Sequence, residues 1–308
     1  MTQKHRLFAL ALAAPALFGL ACRACPPLAR VALDAVSVPA MAALHRWTAG
    51  LPFPAAELLA LTVVAVTLWE LLRAGLSARR IRSLRPLGRW LHGLCRALLL
   101  GTGALALLWA PACARPVAAV PEADDARLAL LCDGLIGSLN DAPLAFPDPP
   151  DVLTRAAEVA GMPGCAVKAV RYPEWMAASR AWGLFVPLTG EALVDAAEPA
   201  PLLPFTAVHE LMHLSGIADE GAANVAAWNR CLAAGGPFAD SARLWALRYA
   251  MGLLRGRDEA VWRRTGQKMK DALARVYGAC GGEVEPRRSH RFSVIRGDYA
   301  ALAGYLAE

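Results

Sequence analysis

The residues best suited to chemistry are His209-Glu210-Leu211-Met212-His213, a match to the pattern H-E-x-x-H. Residues four apart share one face of a helix, so both imidazoles can bind one zinc ion. Glu210 can then serve as general base towards a metal-bound water. The chain has six histidines, and only His209, His213 and His290 follow residue 114. That scarcity favours a metal site over the alternative, a pair of histidines buried in a core.

The third ligand can be either of two neighbouring acids. Gly216 can end the first helix, and Asp219 can cap a second helix that carries Glu220 and Asn224. Glu220 would then reach the metal, with Asn224 as a hydrogen-bond partner for the ligands. The pattern H-E-x-x-H-x-x-G-x-x-D instead puts Asp219 where metzincin-like enzymes carry a ligand. A carboxylate that only caps the helix is also possible, and spacing leaves the choice open.

A peptidase site also needs a wall for the substrate and a group that stabilises the oxyanion. Residues 182–186 form a short apolar run that predicts a strand, to which an extended peptide can add. The same strand can equally serve to pack the helix. For the oxyanion we consider His290 as a catalytic residue, with Tyr299 as a second candidate. A solvated basic loop over residues 286–291 is the alternative.

The elements that must position these residues are mostly helices. Helical patterns cover residues 122–139 and 151–160. A further helical pattern extends from residue 205 to about 277 and is interrupted at glycines. Residues 165–172 and 182–186 are the predicted strands. The predicted fold class is therefore mainly α with a small β element (α+β).

The first third of the chain has the composition of a membrane anchor. Apolar stretches cover residues 7–22, 55–72 and 91–113, of which the second and third have the length to span a bilayer. The first is short, and a cleaved signal peptide is its alternative. Residues 1–114 carry a net charge of +9 and the remainder −3, which speaks against nucleic-acid binding by the exported part. About three transmembrane helices are predicted.

Orientation follows from arginines between the second and third stretches, which the positive-inside rule places in the cytoplasm. The N-terminus is then cytoplasmic, and everything after residue 114 is extracytoplasmic. Residues 26–47 read as an amphipathic segment on the outer membrane surface, or as a helix packed on the exported domain. The predicted organisation is a membrane domain (1–114), a linker (115–121) and an extracytoplasmic domain (122–308) in the cell membrane.

Cysteine usage is compatible with export. Four cysteines lie in the exported part, namely Cys132, Cys165, Cys231 and Cys280. An even number permits two disulfides in an oxidising compartment, and buried thiols are the alternative.

Several segments resemble the bacterial membrane proteins grouped as "domain of unknown function 3810", which are zincin-like. The matching segments are residues 51–57 (LPFPAAE), 187–191 (PLTGE), 203–206 (LPFT) leading into the H-E-x-x-H segment, and 216–218 (GIA) with Glu220, Ala223 and Asn224. The resemblance implies a zincin-like domain. Family members tend to read E-D-E-A-N at residues 220–224, and this chain retains only the first acid, which favours Glu220 as the ligand. The pattern also resembles the second helix of gluzincin peptidases.

The sequence thus predicts a membrane-anchored zinc metallopeptidase that hydrolyses a peptide or protein substrate. The alternative is a non-catalytic membrane scaffold or regulator with a structural metal site. An intramembrane protease is disfavoured because residues 202–214 are too short and too polar to span a bilayer. Besides the substrate, the lipid bilayer is the expected partner.

Overall fold

The computed structural model describes residues 3–115, 124–142, 144–179, 181–255, 259–279 and 300–307. The chain clusters into two units. The first comprises Met1–Pro116 with Val186–Glu191, and the second comprises Val117–Phe185 with Ala192–Glu308. The predicted linker, 115–121, lies almost wholly outside the described residues.

The described residues of the first unit are mainly helical, apart from Val186–Glu191. Its helices are α1 (Gln3–Ala24), α2 (Pro26–Ala32), α3 (Val38–Ala49), α4 (Ala55–Ile81) and α5 (Arg85–Cys113). A π-helical turn, Leu33–Ser37, joins α2 to α3 into one continuous helix. Side-chain packing of α1 on α5 relies on small residues: a Cβ at Gly19 would lie 3.8 Å from that of Ala110, and one at Gly103 would lie 3.6 Å from Pro15.

Three described helices are long and apolar enough to cross a membrane: Pro26–Ala49, Ala55–Ile81 and Arg85–Cys113. They indicate a membrane protein. The last two coincide with predicted spans, and the stretch predicted first lies within α1, whose segment Ala13–Ala24 is apolar. Residues 26–47, predicted to be a surface segment or a helix packed on the exported domain, lie in the long helix Pro26–Ala49, which has the length and composition of a membrane span.

Two sequence segments singled out above meet inside the first unit. The Glu191 carboxylate accepts hydrogen bonds from the backbone N–H groups of Ala55 (2.8 Å) and Ala56 (2.7 Å). It therefore caps α4, whose own N-cap residue is a proline with no side-chain acceptor. Beside it, His45 Nδ1 donates to the Gly190 carbonyl at 2.8 Å. Gly190 has φ of +67°, and a Cβ there would lie 2.6 Å from the His45 nitrogen, so glycine is required.

The second unit contains the remaining elements, except for two strand-end residues, Val186 and Glu191, which belong to the first unit. These are α6 (Asp125–Asp141), α7 (Pro149–Val159), β1 (Val167–Ala169), α8 (Pro173–Ser179), β2 (Gly183–Val186), β3 (Glu191–Val194), α9 (Leu203–Leu214), α10 (Glu220–Ala234), α11 (Gly236–Leu254), α12 (Glu259–Ala279) and α13 (Ala300–Ala307). The predicted fold class, mainly helical with a small sheet, is confirmed.

The sheet has three strands in the order β1-β3-β2, with β1 and β3 parallel. The pairing register puts Val167 opposite Ala192 and Ala169 opposite Val194. Strands β1 and β2 lie within the predicted runs, whereas β3 was not predicted. At four residues with all side chains buried, β3 lacks the alternation that marks a half-exposed strand.

Helix α9 lies in the core of the second unit, in contact with α7, α10, α11 and β1. Its first turn has no side-chain cap of its own. Ser241 on α11 supplies an acceptor for one of the first amides, since its hydroxyl accepts from Phe205 N at 3.0 Å. Trp245 Nε1 on the same helix donates to the Leu202 carbonyl at 3.1 Å. Because α11 holds the start of α9, the histidines one and two turns further on are held in a defined place.

Candidate metal centre

The H-E-x-x-H segment forms the second half of α9, and the chain then reverses into α10. Gly216 has φ of +94°, a left-handed conformation that suits glycine after a helix end. Asp219 caps the next helix, since its side chain accepts from Ala222 N at 2.7 Å. This turn brings the first residue of α10, Glu220, back to the two histidines.

Three potential ligands converge there: His209, His213 and Glu220, each with one donor atom within 4.8 Å of the others. The two Nε2 atoms are 3.1 Å apart. Glu220 Oε2 lies 3.1 Å from His209 Nε2, and Oε1 lies 3.4 Å from His213 Nε2. A tetrahedral ion with bonds near 2.05 Å separates its ligand atoms by about 3.3 Å. The two histidine nitrogens and the Glu220 carboxylate oxygens nearest to them are therefore separated by about the distances that such a site requires.

The tautomer of His213 also suits a ligand. Its Nδ1 donates to the Ile217 carbonyl at 2.6 Å, and a carbonyl can only accept, so this nitrogen carries the proton. In the neutral ring, Nε2 is then unprotonated, and its lone pair is directed towards His209 and Glu220. Fixing a ligand histidine through a backbone carbonyl is a common feature of metal sites.

Electrostatics in the cluster couple the histidines to the acid. Burial raises the pKa of Glu220, but its hydrogen bonds to His209 and His213 and their charges outweigh burial and bring the pKa below the usual range. Burial lowers the pKa of His213, yet Glu220 and Glu210 together raise it to about 9. Glu220 is therefore ionised in the cluster, and His213 must release a proton when a metal ion binds.

Of the two acids considered for the third ligand, only Glu220 lies with the histidines in the described residues. Asp219 faces the backbone of α10 and serves as its cap. Adjacent positions at a helix start point in different directions, and the cap residue lies outside the helix. That geometry, rather than spacing, separates the two acids.

Glu210 lies on α9 beside the cluster and is buried. Burial raises its pKa, against a lowering by His209 and His213. Its carboxylate lies against Gly183 on β2, in the space that any larger side chain at that position would fill. A Cβ at Gly183 would lie 2.2 Å from Glu210 Oε1. Glycine at this position thus decides where the Glu210 carboxylate can lie. The sequence marks Gly183 only as a glycine within a predicted strand.

Asn224 lies one turn after Glu220 and is fully buried. Among the described residues, neither its amide nitrogen nor its amide oxygen has a hydrogen-bond partner, and the same holds for His209 Nδ1. Unpaired buried polar atoms cost free energy, so they tend to occur where a functional arrangement needs them. An amide and an imidazole N–H beside the cluster fit a supporting role around a bound ion.

A second buried carboxylate, which sequence reasoning missed, lies behind Glu210. Glu198 Oε1 accepts from the Thr206 hydroxyl at 3.0 Å, one turn before Glu210 on α9. Burial raises the pKa of Glu198 well above its usual value, Asp195 and Glu210 add to the effect, and Thr206 with Arg248 opposes it. A single acid in the apolar loop before α9 is a weak signal in the sequence.

The other predicted features have different outcomes. His290 and Tyr299 lie outside the described residues, as does Cys280. Cys132 and Cys231 are buried free thiols, and burial raises the pKa of Cys132 to about 12. No disulfide occurs among the cysteines of the described part of the chain, which fits the alternative of buried thiols.

A protein-family model described as "Protein of unknown function (DUF3810)" matches residues 38–279 of the chain. The match covers α3 to α12 and thus includes all three residues of the cluster. No curated protein and no solved structure matches the chain.

Proposed function

The chain belongs to the DUF3810 family of proteins of unknown function, and we propose that it is a membrane-anchored, zinc-dependent metallopeptidase. The observation that carries the proposal is the convergence of His209, His213 and Glu220 with a buried acid, Glu210, beside them. A set of two imidazoles and one carboxylate is typical of catalytic zinc sites, which keep a fourth position for water. Zinc is therefore the metal that we assign.

The protein residues divide the work of hydrolysis. His209, His213 and Glu220 would hold the zinc ion, which would supply positive charge to lower the pKa of a water and to polarise the scissile carbonyl. Glu210 accepts the proton of the attacking water at its carboxylate and returns it to the leaving amine. Its burial raises its pKa, which favours this double role because the carboxylate must hold a proton between the two steps.

The substrate class is a peptide in extended conformation. Strand β2 is the last strand in the order β1-β3-β2, so one of its edges is not paired within the described sheet. Gly183 at the start of β2 lies against Glu210. A peptide that adds to this edge would pass directly in front of the general base. His290 remains a proposed oxyanion-stabilising residue.

We assign residues 1–114 to the membrane domain and 122–308 to an extracytoplasmic domain. The α4–α5 loop, with its arginines, then lies in the cytoplasm together with the N-terminus. Added protease should digest the 122–308 region in right-side-out vesicles but not in inverted ones. Digestion in inverted vesicles only would reverse the orientation.

The activity is tested with Glu210→Gln in the full-length protein. Substitution of a general base typically costs 10²–10⁴-fold in rate. We expect the variant to bind one equivalent of zinc like the wild type and to hydrolyse a peptide library at least about 100-fold more slowly. Asp219→Asn is the matched control, because asparagine preserves the helix cap and the charge change is equal.

Equal hydrolysis by wild type and Glu210→Gln would contradict the catalytic role. One bound equivalent of zinc with no hydrolysis by the wild type would instead support a scaffold with a structural metal. Absence of bound metal in the wild type would contradict both.

A further inference from the structure

An open cavity of about 650 Å³ lies on the surface of the first unit, along the end of α4 and the turn that joins α4 to α5. Half of its lining residues are leucines, including Leu72, Leu76 and Leu87. Leu72 and Leu76 are 55% and 57% exposed. Apolar walls of this size at the end of two candidate membrane spans are suited to a hydrocarbon chain rather than to water.

The polar end of the cavity carries positive charge. Arg79, Arg82 and Ser83 line it at the end of α4 and in the turn. Residues 73–89 contain six arginines and no acid. The nearest acid in sequence, Glu70, pairs with Arg73 at 3.0 Å and so neutralises an arginine outside the cavity. The positive charge at this end of the cavity therefore favours the binding of an anionic group.

Arg82 occupies a backbone position that glycine would fill more easily. Its φ is +50°, in the left-handed region, and the turn closes with Ser83 N donating to the Ala78 carbonyl at 3.1 Å. A non-glycine residue there costs about 1 kcal/mol. An arginine at this position places a guanidinium at the cavity in spite of that cost, which points to a use for the side chain.

We propose that this cavity binds an anionic glycerophospholipid. One acyl chain lies along the leucines, and the headgroup phosphate contacts Arg79, Arg82 and the Ser83 hydroxyl. Only an amphiphile matches both the apolar walls and the cationic end, and a phospholipid is the amphiphile that surrounds a membrane helix. The proposal does not depend on the metal centre.

The test uses full-length protein in a non-ionic detergent, titrated with phosphatidylglycerol and with phosphatidylcholine and followed by native mass spectrometry. We expect phosphatidylglycerol to bind at least about fivefold more tightly, the factor that corresponds to about 1 kcal/mol for one basic residue at a lipid surface. Arg79→Gln should reduce that preference by about fivefold. Arg89→Gln removes an equal charge from the same segment, at a residue that does not line the cavity, and should leave binding within about twofold.

A second variant tests the volume without changing the charge. Gly75 lines the cavity, and a Cβ there would meet no heavy atom within 4 Å. Gly75→Leu therefore fills the cavity without backbone strain and should reduce phosphatidylglycerol binding by about tenfold, the loss expected from one displaced contact of about 1.4 kcal/mol. Gly75→Ala is the matched control and should bind like the wild type.

Three outcomes would overturn the proposal. Equal losses of phosphatidylglycerol binding in Arg79→Gln and Arg89→Gln would show that the positive charge of the whole segment attracts the lipid and that no specific site exists. Unchanged binding in Gly75→Leu would show that the cavity is not occupied. Competition by inorganic phosphate at the concentration of the lipid would show an anion site that does not recognise lipid. Thermal unfolding of each variant separates these results from misfolding.

Discussion

Helices α4 and α9 are both apolar around most of their circumference, for opposite reasons. In α4, side chains such as Val64 and Leu68 are 56% and 61% exposed, and the apolar window contains no buried residue. In α9, every residue except His209 is buried by other parts of the protein. Composition alone makes the two helices similar, but the material around them differs.

The difference explains where polar chemistry can be placed. A helix surrounded by lipid has few partners for a buried polar side chain, and the two acids of α4 are Glu57 in its first turn and Glu70, which pairs with Arg73 at 3.0 Å. A helix surrounded by protein can carry His209, Glu210 and His213, because α10, β2 and a backbone carbonyl supply partners. The candidate metal centre lies in an interior that other parts of the protein form.

The largest effect, on metal affinity, is expected from removing the charge of the Glu220 carboxylate beside α9. Glu220→Gln keeps the shape but loses the carboxylate that lies 3.1 Å from His209. We expect metal affinity to fall at least about 100-fold, since a neutral amide replaces an anionic ligand. Elemental analysis of the purified protein measures it.

The control for this experiment is Asp219→Asn, which should retain about one equivalent of metal because Asp219 acts as a helix cap. Equal metal loss in both variants would mean that the neighbouring acid also binds the ion.

The two helices should respond differently to loss of a side chain. Leu211 on α9 is fully buried, so Leu211→Ala should destabilise the fold by about 2–5 kcal/mol. Val64→Ala on α4, where the side chain is 56% exposed, should change stability by less than about 0.5 kcal/mol. Thermal unfolding of the detergent-solubilised protein gives both values.

A similar loss in both variants would contradict the comparison, because it would mean that α4 is packed by protein in the folded state.

A larger side chain where α9 packs against β2 should also disturb the site. Gly183→Ala places a methyl group where Glu210 Oε1 now lies, so the carboxylate must move. Overpacking of this kind costs about 1–3 kcal/mol. Hydrolysis should fall by at least about tenfold while zinc content stays unchanged, as measured by peptide cleavage with parallel elemental analysis.

Gly75→Ala on α4 is a matched glycine change with open space around the new Cβ, and it should leave hydrolysis and metal content unchanged. A fully active Gly183→Ala variant would show that Glu210 need not lie where it does.

Proton exchange at His213 predicts opposite pH dependences for metal binding and for the metal-free fold. The raised pKa of about 9 means that a metal ion must displace a proton below that pH. Metal affinity should therefore rise about tenfold per pH unit below pH 9 and level off above it. The metal-free protein should gain stability below about pH 6.5, the usual histidine pKa, and lose that gain as the pH rises through about 9.

Chelator competition and thermal unfolding over pH 6–10 measure the two trends. Metal affinity that does not vary with pH would contradict the protonation of His213 in the metal-free site.

The smallest effect is expected at the cap of α10. Asp219→Ala removes the acceptor for Ala222 N and should cost about 1 kcal/mol in the free energy of unfolding. Metal should still bind, with an affinity within about tenfold of the wild type. A larger loss would indicate that the cap also positions Glu220.

Much of the architecture was predictable from local pattern. Long apolar stretches predicted α4 and α5, and 3.6-residue periodicity with glycine breaks predicted α9 to α12. Strand β3 was missed because four buried residues carry no alternation. Glu198 was missed because the residue lies in a loop with no periodic pattern.

By itself the sequence determined that two imidazoles lie on one face of a helix, since helix geometry relates residues four apart without help from the rest of the chain. It could not decide between Asp219 and Glu220, which are adjacent and chemically alike. Only the tertiary structure separated them, because the turn at Gly216 and the cap at Asp219 set the direction in which α10 begins. The contact of Gly183 with Glu210 likewise exists only once β2 packs on α9, since non-local contacts depend on how elements assemble rather than on local spacing.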